Sequence, residues 1–302
     1  MHGWILGTAN YAAYAGIGQA RAIEDITRAM TRFPSPSSEV EEAVGKAYRE
    51  KVLRETGLDV ADADTSFAKA KPNPQLIQKF VALGGDVTET DVRSLSPVQL
   101  DWGNNPVAEA EAQLLALFRP GELVCCGDWH AKEVQARDVW IRQFKEGRPI
   151  PPYVCINPLK PEGGITNDGQ HSSRCDDAVS VFRHCLVEFD DLPLDEQVRL
   201  LAGLGLDGVT TITFSGVASF HAVIRVDVAD QHEWDWIVKG KYYDRLFIPV
   251  GCDSACSNPS RLTRLAGAWR VPALEPKFRN KPPEAIPPPA WQRLVFAREE
   301  MA

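Results

Sequence analysis

The chain reads as an α+β protein whose sheet-bearing part follows a helical N-terminal region. Three observations predict this. In the first 57 residues apolar side chains recur at helical spacing, as in Ala20, Ile23, Ile26 and Met30. From about residue 121 the pattern changes to short apolar runs separated by turns, with helical stretches between them. Beyond residue 184, alternating or β-branched runs at 184–190, 209–214 and 219–227 flank a single helix, which predicts a sheet.

Of the 302 residues 44% are hydrophobic and 25% charged, which excludes a largely disordered chain and suffices for a sizeable core. No run approaches the ~18 apolar residues of a membrane span. Met1-His2-Gly3-Trp4 lacks the basic stretch that opens a secretory signal. A cytoplasmic location without membrane contact is therefore expected. The net charge of −8 excludes a generally basic nucleic-acid coat. Between Lys239 and Lys281, however, nine Lys/Arg stand against three Asp/Glu, a local excess of +6 that attracts phosphate. Seven dispersed cysteines without a C-x2-C pair fit neither a disulfide framework nor a zinc ribbon. Cys252 with Cys256, and Cys126 with His130, are half-sites at most, and no zinc is expected.

Taken in order, residues 1–57 form a helix pair broken at Pro34 and Pro36. Ser38 and Glu41 have capping-box spacing, and Val40, Val44, Tyr48 and Val52 make an apolar stripe that stops at Gly57. Residues 58–120 read as a linker with short helices, one near 74–83 and one from Pro106 to Phe118. Leu123–Cys126 and Tyr153–Ile156 read as strands, and Lys132–Phe144 as a helix. Pro193–Leu204 is a helix with proline in its first turn. Asp230–Lys239 is a helix opened by a D-x-x-E box and closed by Gly240. Phe247–Asp253 reads as a strand ending in acid. Seven prolines between Pro272 and Pro289 predict an extended tail, and Trp291–Met301 a short terminal helix.

The chemistry concentrates after residue 184. In His184-Cys-Leu-Val-Glu-Phe-Asp190, period two places Glu188 and Asp190 on one strand face, roughly 6.5–7 Å apart at Cα. Two carboxylates so placed invite a hard divalent cation. In the strand Ser219–Asp227, Phe220, Ala222, Ile224 and Val226 face the core, whereas Ser219, His221 and Arg225 face the other way. His221 is thus placed to donate a hydrogen bond to a phosphate oxygen. Arg261 and Arg264, three apart, share a face if the backbone there is helical, and guanidinium forks suit phosphate.

Glu188-Phe-Asp190, Ser219-Phe-His221 and Asp253, in that order, resemble the three motifs of the archaeo-eukaryotic primase superfamily, in particular the primase-polymerases of phages and mobile elements. Phe214-Ser-Gly before the Ser-x-His, and Arg-Leu-Thr-Arg-Leu with Gly267 behind it, are similar too. The match covers roughly residues 150–270. The resemblance implies an antiparallel sheet of the RNA-recognition-motif kind within a catalytic domain at 121–272, followed by a Pro-rich tail at 273–302. It also implies template-directed nucleotidyl transfer from NTPs or dNTPs on single-stranded DNA. Glu188, Asp190 and Asp253 would hold two magnesium or manganese ions. Ser219, His221, Arg261, Arg264 and Arg174 would contact the nucleotide or template. Asp227 is the rival third acid, but on an extended strand it lies about 20 Å beyond His221. The N-terminal helices resemble the small helical domain that accompanies such primases. No Walker motif occurs, so any replicative helicase would be a separate partner in a bacterial or phage-infected cell. The same carboxylates are compatible with a metal-dependent nuclease, and the same fold with a non-catalytic nucleic-acid-binding module.

Overall fold

The computed structural model describes residues 2–30, 39–55, 70–101, 103–128 and 132–298. The chain divides into two compact units, Met1–Lys69 with Leu204–Asp207, and Ala70–Gly203 with Gly208–Ala302.

The first unit carries three helices: α1 (His2–Tyr14), α2 (Gln19–Ala29) and α3 (Glu39–Glu55). Ile5, Ala9, Ala13, Ile26, Val40, Val44 and Ala47 form their shared core. Small alanines let the helices approach closely, and the Tyr48 hydroxyl donates to the Ile17 carbonyl at a helix end. The expected pair is thus a trio. α1 escapes the periodicity argument because its apolar and small residues run around the helix without a polar face. The expected Ser38 cap, the breaks at Pro34 and Pro36 and the stop at Gly57 lie outside the described residues, as does His130.

The second unit begins with α4 (Pro74–Leu83), α5 (Glu89–Ser94) and α6 (Pro106–Leu117). Each starts at a side-chain cap. Asn73 accepts from the Gln75 and Leu76 amides, Thr88 and Asp91 form a reciprocal box, and Asn105 accepts from Ala108. The expected 58–120 linker is therefore, from residue 70 on, part of the body. Glu109 of α6 is buried and accepts the Leu294 amide at 2.7 Å and the Gly103 amide at 2.6 Å.

Two four-stranded antiparallel sheets follow. Strands β1 (Leu123–Gly127), β2 (Lys132–Ala136), β3 (Tyr153–Cys155) and, far later, β9 (Leu262–Arg264) pair in the order β2-β1-β3-β9. The helix expected at 132–144 starts only at Arg137 (α7, Arg137–Lys145), because Lys132–Ala136 pairs along β1 as a charged edge strand. A two-residue ladder joins β4 (Gly164–Ile165) to β5 (His171–Ser172). Strands β6 (Phe182–Glu188), β7 (Val209–Phe214) and β8 (Phe220–Val228) form the second sheet. Helix α8 (Leu194–Leu204) connects β6 to β7. It crosses α4 so closely that a Cβ on Gly203 would lie 2.0 Å from the Phe80 carbonyl oxygen.

Asp230 caps α9 (Gln231–Glu233) as expected, accepting from the Glu233 amide at 2.9 Å. The helix does not stop at Gly240. It continues as a wide turn with i→i+5 bonding over Trp234–Phe247, so Phe247–Asp253 is a helix end and turn rather than a strand. The Pro-rich stretch is three single 3-10 turns, at Pro272–Leu274, Pro276–Phe278 and Pro283–Ala285. They are pinned by a ladder between β10 (Trp269–Arg270) and β11 (Ala290–Trp291). The expected terminal helix is strand β12 (Arg293–Ala297), which completes the sheet order β12-β7-β8-β6. Leu294, Val295, Phe296 and Ala297 are all buried, so both faces of β12 are covered and no alternation marks it as a strand. The expected boundary near 272 therefore moves, since a strand of the second sheet comes from what was read as tail. Among the described residues no helix is long and apolar enough to cross a membrane. The second unit is mixed helix and antiparallel sheet, as the α+β expectation has it.

His184, at the centre of β6, is fully buried. Its Nδ1 lies 3.3 Å from the Ile156 carbonyl, and burial holds its pKa down at about 3, with the Arg183 charge adding to the effect. The unfolded chain therefore binds a proton below about pH 6.5 that the folded chain refuses until about pH 3. Stability should fall as pH drops through that window, by about 1.4 kcal/mol per pH unit from this group alone. A His184→Gln variant should show a flatter acid limb in urea unfolding between about pH 7 and pH 5. An unchanged slope would show that His184 is not the titrating group.

Candidate active site

The site forms where β6 ends. Glu188, the last residue of β6, is paired in register with His221 of β8, which is itself opposite Thr213 of β7. All three side chains are buried on the same sheet face. The Asp253 amide donates to the Glu188 carbonyl at 3.1 Å, fastening the 253–257 turn to the strand end. Asp253 caps that turn through Oδ1, which accepts the Ala255 amide at 2.9 Å, and the Cys256 amide returns to the Asp253 carbonyl at 3.0 Å. The buried Tyr243 hydroxyl supports both pieces, 2.5 Å from the Leu186 carbonyl and 2.8 Å from that of Cys256. One carboxylate oxygen each from Glu188 and Asp253, together with Cys256 Sγ, lie within 4.8 Å of one another.

Arg261 stands over the two carboxylates. Its Nη2 is 3.7 Å from Glu188 Oε1 and 3.6 Å from Asp253 Oδ2. A guanidinium there does what a bound cation would do, offsetting two negative charges at one point. The donor set of two carboxylates and a thiol, already neutralised by a cationic stand-in, fits a divalent metal ion.

His221 Nε2 lies 3.0 Å from Glu188 Oε2. Burial pushes the Glu188 pKa up, against the pull of Arg261 and with the nearby Asp253 adding to the rise. Burial holds the His221 pKa well below its usual value, and the Arg264 charge presses the same way. Both shifts oppose a fully charged pair, so the contact is a hydrogen bond rather than an ion pair. The Thr263 hydroxyl, 3.4 Å from Nδ1, fits as donor to that nitrogen. With Glu188 charged, this arrangement puts the proton on Nε2, facing Glu188.

The remaining expected residues fall into place unequally. Asp190 is exposed and lies two residues past the end of β6, after the fully buried Phe189. Asp190 is absent from the three-donor group, although its charge reaches His221 and favours imidazole protonation. Ser219 is buried in a turn, with its hydroxyl 3.3 Å from that of Ser215. Arg264 is on β9, not on a helix, and so parts from Arg261. Its guanidinium lies 4.4 Å above the Tyr153 ring, 3.2 Å from Gln292 Oε1 and 3.4 Å from Glu275 Oε1. Arg264 Nε is buried without a hydrogen-bond partner. Arg174 donates to the Ser260 carbonyl at 2.9 Å and so braces the segment before Arg261. Asp227, the rival acid, has a left-handed φ of 43° and is ion-paired with Arg225.

Sequence reasoning missed Cys256, Thr263 and Glu275. The signal for Cys256 is its spacing three residues after Asp253, which the C-x3-C with Cys252 masks as half of a zinc site. Thr263 and Glu275 carry no signal, since strand pairing and the proline turns bring them in.

No protein-family model matches this chain, and no curated protein matches it by sequence. Among solved structures, the chain is similar to the AEP domain of the cyanophage S-2L primase-polymerase, with a TM-score of 0.40 and 16% identity. The alignment covers 67% of this chain and 95% of that one. A score that low does not establish a common fold, and the functional reading rests on the residues above.

Proposed function

We propose that the chain is a nucleotidyltransferase of the primase-polymerase kind, joining nucleoside triphosphates on a single-stranded DNA template. The observation that carries the reading is the convergence of Glu188, His221 and Asp253. They come from β6, β8 and a turn 65 residues beyond Glu188, and they meet under one arginine. Glu188, Asp253 and, from the turn past β6, Asp190 would hold divalent cations, magnesium or manganese. Such ions, when bound, supply activation of the attacking 3′-hydroxyl and neutralisation of the leaving pyrophosphate.

The protein's own groups do the rest. Arg261, about 30% exposed beside the carboxylates, would pair with the triphosphate of a bound nucleotide. His221 presents its Nε2 proton, held in that tautomer by Thr263. Arg264, fixed by Tyr153 and Glu275, contributes positive potential behind the imidazole. Template contacts would come from the basic stretch Lys239–Lys281 on an otherwise acidic chain, so binding should weaken steeply with salt. The catalytic body would be the whole second unit, since β12 belongs to its sheet.

The test is primer synthesis and extension on single-stranded DNA with manganese or magnesium and with NTPs or dNTPs. Wild type would be compared with Glu188→Ala/Asp190→Ala. Products that disappear in the double variant support the proposal. Template degradation lost in the variant would make the chain a nuclease. DNA binding by a folded protein without any product would make it a non-catalytic module.

A further inference from the structure

We infer that the cation site at Glu188 and Asp253 has a thiolate as its third ligand, Cys256 Sγ, and that it therefore selects manganese and other thiophilic divalent ions over magnesium. The inference rests on the proposed site but concerns which ion it takes.

Two features place Cys256 there. Its sulfur, a Glu188 oxygen and an Asp253 oxygen lie within 4.8 Å of one another, close enough to ligate one ion. The turn that presents it is fixed at several points. Asp253 caps it through the Ala255 amide, the Asp253 amide is tied to the Glu188 carbonyl, and Tyr243 and Trp234 bond the carbonyls of Cys256 and Ser257. The backbone that carries Cys256 is thus held beside the two carboxylates.

Ligand chemistry gives the consequence. Magnesium takes oxygen ligands in near-ideal octahedral geometry and makes poor use of sulfur. Manganese, cobalt, zinc and cadmium accept mixed oxygen and sulfur donors, with affinity rising along that softer series. Ligation converts the thiol to a thiolate, and the displaced proton leaves to solvent as the ion enters. Asp190, exposed beyond the strand end, stays available for a second, oxygen-ligated ion. Cys252, the neighbouring thiol, points its sulfur at the Asp253 carbonyl at 3.6 Å and is not one of the three donors.

Cobalt(II) titration of the full chain, followed by near-ultraviolet absorption, tests this without any enzymatic readout. Wild type and Cys252→Ser should develop a thiolate-to-cobalt charge-transfer band, and Cys256→Ser should not. Calorimetric titration should show manganese affinity falling about tenfold or more in Cys256→Ser, with magnesium affinity changed less than about threefold. Cobalt binding to wild type without the band overturns the inference, and that result does not depend on whether the serine variant folds. So does a band lost in Cys252→Ser but kept in Cys256→Ser, or no cobalt binding at all. A band as expected alongside no nucleotide incorporation would leave the thiolate site standing and remove the polymerase reading.

Discussion

Glu188→Gln should cut nucleotide incorporation by about 10²–10³-fold, the usual loss for one preorganised charged group, while leaving the protein at least as stable as wild type. The two effects have one cause. Glu188 is buried beside a second carboxylate, and burial already pushes its pKa up, so the folded state is working against its charge. Glutamine has the same reach and can accept the His221 Nε2 proton through its carbonyl oxygen, so the strand-to-strand contact at 3.0 Å survives. What disappears is the negative charge, and with it both the cation ligand and the desolvation cost. Removing such strain commonly gains about 0.5–2 kcal/mol where a site trades stability for function. Steady-state incorporation and thermal melting of the same preparation decide the matter. Lost activity with a lowered melting temperature would show that Glu188 is structural, and retained activity would remove it from the site.

Glu275→Ala should be the most destabilising single change in the second unit that lies outside its apolar core, costing about 3–5 kcal/mol. Glu275 is one carboxylate between two buried arginines. It receives Arg270 in a two-point contact at 2.7 and 3.0 Å and Arg264 at 3.4 Å. Arg270 also donates to the Ser215 carbonyl at 2.9 Å, at the head of the turn that carries Ser219. Deleting the carboxylate strands two positive charges in a region from which water is excluded. Glu275→Gln keeps an acceptor for Arg270 and should lose clearly less. Urea unfolding of both variants measures the difference, and a loss below about 1 kcal/mol in Glu275→Ala would show that solvent reaches the arginines.

How far the sequence discloses this molecule depends on whether a residue's neighbours are local. β6, β7 and β8 are legible because alternation or β-branching marks them, and α4, α6 and α8 because prolines and caps frame them. β12 is not, since both its faces are covered and every residue from Leu294 to Ala297 is apolar or small. Its strand character arises from pairing with β7, more than 75 residues earlier. The site divides the same way. Glu188, His221 and Asp253 follow from strand period and motif order. Arg264 was paired with Arg261 on the assumption of a helix, and the β3–β9 pairing separates them. Glu275 sits among prolines that read as featureless tail, yet its partners are two arginines that only the fold brings to it.

The place of β12 also sets an order of events during synthesis. It is an outer strand of its sheet, but its residues leave the ribosome after every member of the site has emerged. Until residues 293–297 emerge, a sheet made of β6, β7 and β8 has its β7 edge open. An open edge recruits other strands, including those of neighbouring nascent chains on the same message. A chain truncated before residue 293 should therefore aggregate more readily than the full chain.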